Sequence, residues 1–430
     1  MTTTAAQASG ASGGQHGQRR LPPLRDLLRS SAGIAIAMAV MNVATYAFQM
    51  IAARLLGPTQ YGAVASLMAL LMVVAVLQLG LQATGARRIS AEPEHVGQIE
   101  RMVLRVTYRA ALGLGLLMLV LSPVVHTVLR LDSIVPAVLL AVSAVPLTIM
   151  GGQSGVLQGE RRWFSLAGVY LAMGLARVVV GTACIVVSPT ESAAMLGVML
   201  AMFAPAIVGW LALRRPGLHA RDADRHSEEH TGRLVVRETG AASLALLAFF
   251  VLSNLDIVVA RNVLDDREAG LYAAGLILAK AVLFLPQFVV VVAFPAMSTP
   301  AQRRRALLRS LTLVALLGIF CTLAAWLLSG VAMVFVGGAE YADVESRLWV
   351  FAVLGTLLAM LQLLVYSVLA RRGTRTTYLV WLAVVALVVL SSQAAHLGSL
   401  AAIVVAVDGA LFLALLLISL WRLKEPVAED

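Results

Sequence analysis

Lysine is almost missing from this chain. All but two of its 33 basic residues are arginine, the exceptions being Lys280 and Lys424. Charge of either sign is scarce, at 13% of 430 residues, where a soluble domain carries about a quarter. There are two cysteines, Cys184 and Cys321. Both lie inside apolar runs, so thiols are expected and not a disulfide. No GxxxxGK[ST] loop occurs, since Lys280 and Lys424 are followed by Ala and Glu, and this excludes unaided ATP hydrolysis. HExxH and GxSxG are absent as well. His219, His226 and His230 lie among Asp222, Asp224, Glu228 and Glu229. That segment reads as a solvated linker, and neither a metal nor a cofactor is expected.

What fills the chain is apolar: 60% of residues are hydrophobic, mostly in runs long enough to cross a bilayer. Backbone polar groups in lipid need partners within the segment, so such runs become helices. A membrane barrel would show alternating ten-residue segments instead. The expected fold is all-α and polytopic, with about twelve spans: 31–53, 63–86, 103–129, 134–157, 166–187, 193–213, 239–263, 271–296, 307–329, 348–369, 377–394 and 398–421.

A net charge of +10 would suggest nucleic acid in a soluble protein. Here the arginines gather at helix ends, and nucleic acid is not an expected partner. One alternate set of loops holds about 25 basic residues, the other five: Arg54, Arg130, Arg261, Arg267 and Arg347. The positive-inside rule makes the rich set cytoplasmic. Both termini are then inside, in agreement with an even number of spans and a cell-membrane location. The expected organisation is a disordered basic tail (1–30), an N-terminal lobe (31–213), a cytoplasmic linker (214–238), a C-terminal lobe (239–422) and a short cytoplasmic tail (423–430).

Charges buried at membrane depth cost about 2.5–3.5 kcal/mol on insertion scales and persist where they face a partner or a wet cavity. Four qualify: Arg177, Asp256, Lys280 and Asp408. Asp256 lies about 10 Å below its helix end, at about 1.5 Å per residue. Lys280 enters from the same side. Asp256 and Lys280 either neutralise each other across a helical hairpin or serve a hydrated cavity. Polar stripes at helical spacing (Asn42, Thr45, Tyr46 and Gln49; Gln78 and Gln82; Gln362 and Tyr366) suit a wet interior or interhelical hydrogen bonds. Gly-rich Thr148 to Gly159 suits close helix packing or a flexible gate.

The chain also echoes itself. Ala53-Arg54-Leu55-Leu56-Gly57 through Tyr61-Gly62-Ala63 resembles Ala260-Arg261-Asn262-Val263-Leu264 through Gly270-Leu271-Tyr272-Ala273, at an offset of about 207 residues. A half-length repeat in a membrane chain predicts two fused bundles with a site between them.

These residues resemble the multidrug/oligosaccharidyl-lipid/polysaccharide exporter superfamily, especially its bacterial polysaccharide repeat-unit flippases. Ala53 to Gly62, ARLLGPTQYG, is similar to that family's pattern after span one. Asp256, Gly270-Leu271-Tyr272 and Phe294-Pro295 match its spans seven and eight, and Gly155 to Gly159 followed by Arg161-Arg162-Trp163-Phe164 is similar to its span-four end. The resemblance implies two six-helix lobes around a cationic cavity. It implies alternating access that carries a polyprenyl-pyrophosphate-linked oligosaccharide between leaflets, with no enzymatic step.

On that reading Arg177, Lys280, Arg54 and Arg261 would meet the pyrophosphate, with Asn42 and Gln49 lining the cavity. Asp256 or Asp408 would couple to H⁺ or Na⁺. The implied partners are the glycan-bearing lipid, the bilayer and polysaccharide-assembly proteins. A cation-coupled antiporter of the same superfamily is the alternative, and a membrane polymerase or ligase the third reading. Short outer loops argue against the last, and twelve spans point away from the fourteen usual in lipid II flippases.

Overall fold

A computed structural model describes residues 31–214, 228–297, 303–336, 338–369 and 374–422. All of its regular structure there is helical, as lipid requires when no water is present to pair backbone groups. Nine helices among the described residues are long and apolar enough to cross a membrane. The first of them, Ser31–Ala91, contains both the first and second expected spans. The expected eighth and eleventh spans form helices too, at Asp266–Met297 and Thr374–Ser391.

The loop expected over 54–62 shrinks to a kink. Gly57 alone leaves helical geometry, at φ 69 and ψ 172, immediately before Pro58. Proline pushes its predecessor out of the α region, and glycine takes positive φ without strain. A second difference concerns the linker. From Glu228 onward it is helix, continuous with span 7 through Val263. Residues 1–30, 215–227 and 423–430, which include His219, His226 and both tails, lie outside the described residues.

The packing order of the first half recurs in the second. Span 4 packs on spans 2, 3 and 6, and span 10 on spans 8, 9 and 12; span 5 meets spans 1 and 6 as span 11 meets spans 7 and 12. Small residues set this closeness, because lipid supplies no hydrophobic force between helices. In span 4, a Cβ on Gly155 would lie 2.7 Å from the Gln82 carbonyl oxygen, and one on Gly151 would overlap Gln78. The glycine-rich stretch is therefore a helix-packing face.

The lobes meet where the sequence repeats itself. A Cβ on Gly62 would stand 3.1 Å from the Gly270 Cα, and one on Gly270 would overlap the Pro58 carbonyl. The two matching turns thus lie against each other at the arginine-poor side. Gly270→Val is expected to lower stability by about 1–3 kcal/mol, the usual cost of overpacking. A thermal melt of the purified protein checks this, and an unchanged melt would mean the turns are not in contact.

Candidate functional site

The arginine-poor side is closed by reciprocal arginine bonds between the lobes. Arg261, 3% exposed, donates from Nε to the Leu129 carbonyl (3.1 Å), from Nη2 to the Arg130 carbonyl (2.7 Å) and from Nη1 to Asp266 Oδ1 (3.1 Å). Arg130, at φ 47, answers from Nη2 to the Asn262 carbonyl at 2.9 Å. Asn262 donates to the Val128 carbonyl at 2.9 Å. Each lobe thereby satisfies helix-end carbonyls of the other, which would otherwise be orphaned. The fully buried Tyr341, from the loop between spans 9 and 10, adds a hydroxyl bond to the Ala53 carbonyl at 2.8 Å. Arg261 therefore corrects the sequence reading. In this state it is a clasp between lobes, not a cavity cation. Arg54 is likewise at the turn, with an exposed side chain.

Below this closure Gln49 and Lys280 come together. They line a cavity of about 20 Å³ with Phe48, Ala52, Tyr61 and Ile257, room for about one water. Asn42 sits two turns further along the same helix, half-buried.

Lys280 does not bond Asp256. Its Nζ donates to Asn254 Oδ1 at 3.2 Å. Residues two apart on a helix point to different sides, so Asn254 and Asp256 present their groups to different surroundings. Asp256, 3% exposed, turns into the C-terminal lobe, where the Tyr272 hydroxyl donates to its Oδ2 at 3.1 Å and the Ile257 N–H to its Oδ1 at 2.9 Å. Asp408 of span 12 lies close enough to interact electrostatically with both Asp256 and Tyr272. It is 2% exposed, and its Oδ1 has no hydrogen-bond partner among the described residues. Sequence reasoning found both carboxylates but not Asn254 or the role of Tyr272. Tyr272 was visible in the Gly-Leu-Tyr motif, but nothing there assigned it a carboxylate partner.

Arg177 stands apart in the N-terminal lobe. It opens a π-helical turn, Arg177–Gly181, a rare geometry frequent at functional sites. The guanidinium is 6% exposed, its Nη2 lies 3.8 Å from the Met202 sulfur, and its Nε has no hydrogen-bond partner among the described residues. Sulfur is a weak acceptor, so among the described residues this cation has no bonded anion. Nearby, Gln82 Nε2 donates to Gln158 Oε1 (2.9 Å) and to the Tyr170 hydroxyl (2.8 Å). Those polar side chains hold spans 2, 4 and 5 together. The Tyr366 side chain lies outside the described residues. No cluster of three or more metal-ligating side chains occurs among the described residues.

At the arginine-rich side, spans 2 and 7 are tied by charge. Glu238 accepts from Arg88 Nε (3.0 Å) and Nη2 (3.1 Å), and from Arg87 Nη2 (2.8 Å). The Arg88 hydrogen bond, chiefly, holds the Glu238 carboxyl below its ordinary value of 4.5. A depressed folded-state value means this stabilisation is complete above about pH 4.5 and is lost as the pH falls through the folded value. The melting difference between wild type and Glu238→Gln should therefore be constant near neutrality and shrink in acid. A pH-independent difference would contradict the pairing.

Two helical lobes related by an internal repeat, with charged side chains buried at depth, define a polytopic all-α membrane protein. Residues 27–301 match the model of the family described as polysaccharide biosynthesis protein, and the chain belongs to that family. Its fold is similar to that of solved transporters. One is the inward-facing conformation of a multidrug resistance MATE family transporter of the MOP superfamily. It has a TM-score of 0.75 and 15% identity, over 94% of this chain and 99% of that one. The outward-facing conformation of such a transporter gives a TM-score of 0.54 at 16% identity, over 95% and 100%. A MOP superfamily transporter from Pyrococcus furiosus, described as having a binding pocket of reversed polarity, gives 0.61 at 16%, over 94% and 97%. No curated protein matches in sequence.

Proposed function

We propose that this protein is an alternating-access flippase. It moves a polyprenyl-pyrophosphate-linked oligosaccharide from the cytoplasmic to the outer leaflet of the cell membrane, for cell-surface polysaccharide synthesis. The observation that carries the reading is the state of the two cations at depth. Lys280 is bonded to a neutral amide, and among the described residues the hydrogen-bond contact of Arg177 is to a thioether. Buried cations without a bonded anion are costly, and a pyrophosphate would supply several acceptor oxygens. Gln49, beside Lys280, suits sugar hydroxyls, with Asn42 further along span 1.

In this reading Asp256 and Asp408, which interact across spans 7 and 12, would couple transport to H⁺ or Na⁺. The bonds of Arg261, Arg130 and Tyr341 support a state closed to the outside, with the arginine-rich face held by the Arg87 and Arg88 bonds to Glu238. The greater likeness to an inward-facing transporter agrees with this. The carboxylate pair also favours a second reading, a cation-coupled antiporter of small molecules.

Lipid analysis of cells lacking the protein separates the two. Accumulation of one polyprenyl-linked saccharide on the inner leaflet supports the flippase. Unchanged glycolipids with altered drug tolerance support the antiporter.

A further inference from the structure

The seam between spans 2 and 7 holds more cation than its structure uses. Arg87 and Arg88, from the N-terminal lobe, close on the single carboxylate of Glu238, from the C-terminal lobe, and the exposed Arg237 lies beside it in the chain. Arg88 is a two-point partner with its side chain 10% exposed, whereas Arg87 is 65% exposed and gives Glu238 one contact. A guanidinium has five N–H donors, so Arg87 keeps most of its donors turned to solvent.

Paired guanidiniums around a two-oxygen anion is the geometry by which arginine holds phosphate. Glu238 brings one negative charge and two acceptors to a place that can satisfy more of both. The seam lies at the arginine-rich ends of spans 2 and 7, beyond the point where Gly80 packs on the Thr239 carbonyl and on Ser243.

We propose that Arg87 and Arg88 form a landing site for a phosphate or pyrophosphate group at these span ends, and that Glu238 is a tethered anion which the phosphate displaces. Because Glu238 belongs to the other lobe, its displacement cuts an ion pair that joins the lobes. Arrival of the phosphate group is thereby linked to release of the seam. The proposal deepens the flippase reading and rests on it for the identity of the transported phosphate. The anion site itself is defined by chemistry that either a carrier-lipid pyrophosphate or an anionic phospholipid headgroup would satisfy.

Binding of inorganic pyrophosphate to the full chain in phosphatidylcholine nanodiscs, read by calorimetry, tests it. Glu238→Gln removes the competing anion and should tighten binding roughly tenfold, about 1.4 kcal/mol. Arg87→Gln should weaken it several-fold without moving the melting temperature, because the Arg88–Glu238 contact remains. That variant keeps the test valid should Glu238→Gln disturb the seam. Binding that is unchanged in both variants, or that persists in them and disappears in Lys280→Gln, overturns the proposal.

Phosphatidylglycerol in the nanodisc separates the two sources. Competition with pyrophosphate identifies a membrane headgroup as the ligand, and its absence identifies a free or carrier-borne pyrophosphate. No sugar or transport is measured. A negative result leaves the flippase reading standing, and unchanged glycolipids in the deletion strain leave this result standing.

Discussion

Arg261→Ala is expected to open the arginine-poor side. The substitution removes two charged donors from the Leu129 and Arg130 carbonyls, together with the partner of Asp266. Hydrogen bonds to charged groups contribute about 1.5–3 kcal/mol each. Losing about 3 kcal/mol shifts the ratio of closed to open molecules roughly a hundredfold. The Asp266 contribution is small, because that carboxylate is 54% exposed.

The measurement is alkylation of Gln49→Cys by an impermeant reagent added from that side, with Cys184 and Cys321 replaced by alanine. The rate should rise steeply in the Arg261→Ala background. Arg267→Ala is the control. Its pair with Asp343 is at least 59% exposed on both sides, so its removal should change little. Equal alkylation rates with and without Arg261 would show that the clasp does not hold the closure.

Lys280→Glu is expected to abolish transport. The ammonium lies beside Gln49 in the cavity and bonds Asn254. It is also within electrostatic reach of Asp256, which in turn interacts with Asp408. Reversal puts a third carboxyl group into a region already holding two, and like charges disfavour one another's ionised forms. It also repels the anionic headgroup that the cavity is proposed to bind. A lost charge-assisted contact alone is about 1.5–3 kcal/mol. With added repulsion, the transfer of lipid-linked saccharide should fall by more than a hundredfold.

Lys280→Arg should retain part of the activity, since it keeps the charge but not the ammonium's geometry. Transport by Lys280→Glu at wild-type rate, with the protein present at normal level, would remove the cavity role.

Much of this was legible in the linear chain. Each expected span has a helix, because about twenty apolar residues suffice to cross the hydrocarbon and the backbone there has no alternative partner. The echo of Ala53–Gly62 in Ala260–Gly270 gave the two-lobed plan. The four charges at membrane depth stood out because each is costly there.

The site's wiring was not legible in the same way. Spacing and depth left Asp256 and Lys280 either as a pair or as groups serving a cavity, and in the structure the side chains bond Tyr272 and Asn254. Spacing along two helices does not fix their rotation about their own axes, and that rotation chose the partners. Arg261 read as a cavity cation because a turn arginine and a cavity arginine have the same sequence appearance. Only the approach of the Leu129 and Arg130 carbonyls separates them.

The sequence by itself determined that this is a repeated, all-helical membrane protein with few charges at depth, since lipid penalises every unpaired polar group. Tertiary structure decided which of those charges meet. It set the two copies of the repeat against each other at Gly62 and Gly270. It also made Arg261 a bond between lobes, turned Asp256 toward Asp408, and left Lys280 and Arg177 without a bonded carboxylate among the described residues. The physical reason is that helix rotation and approach are settled by side-chain volume across the interface, glycine by glycine, between residues about two hundred positions apart.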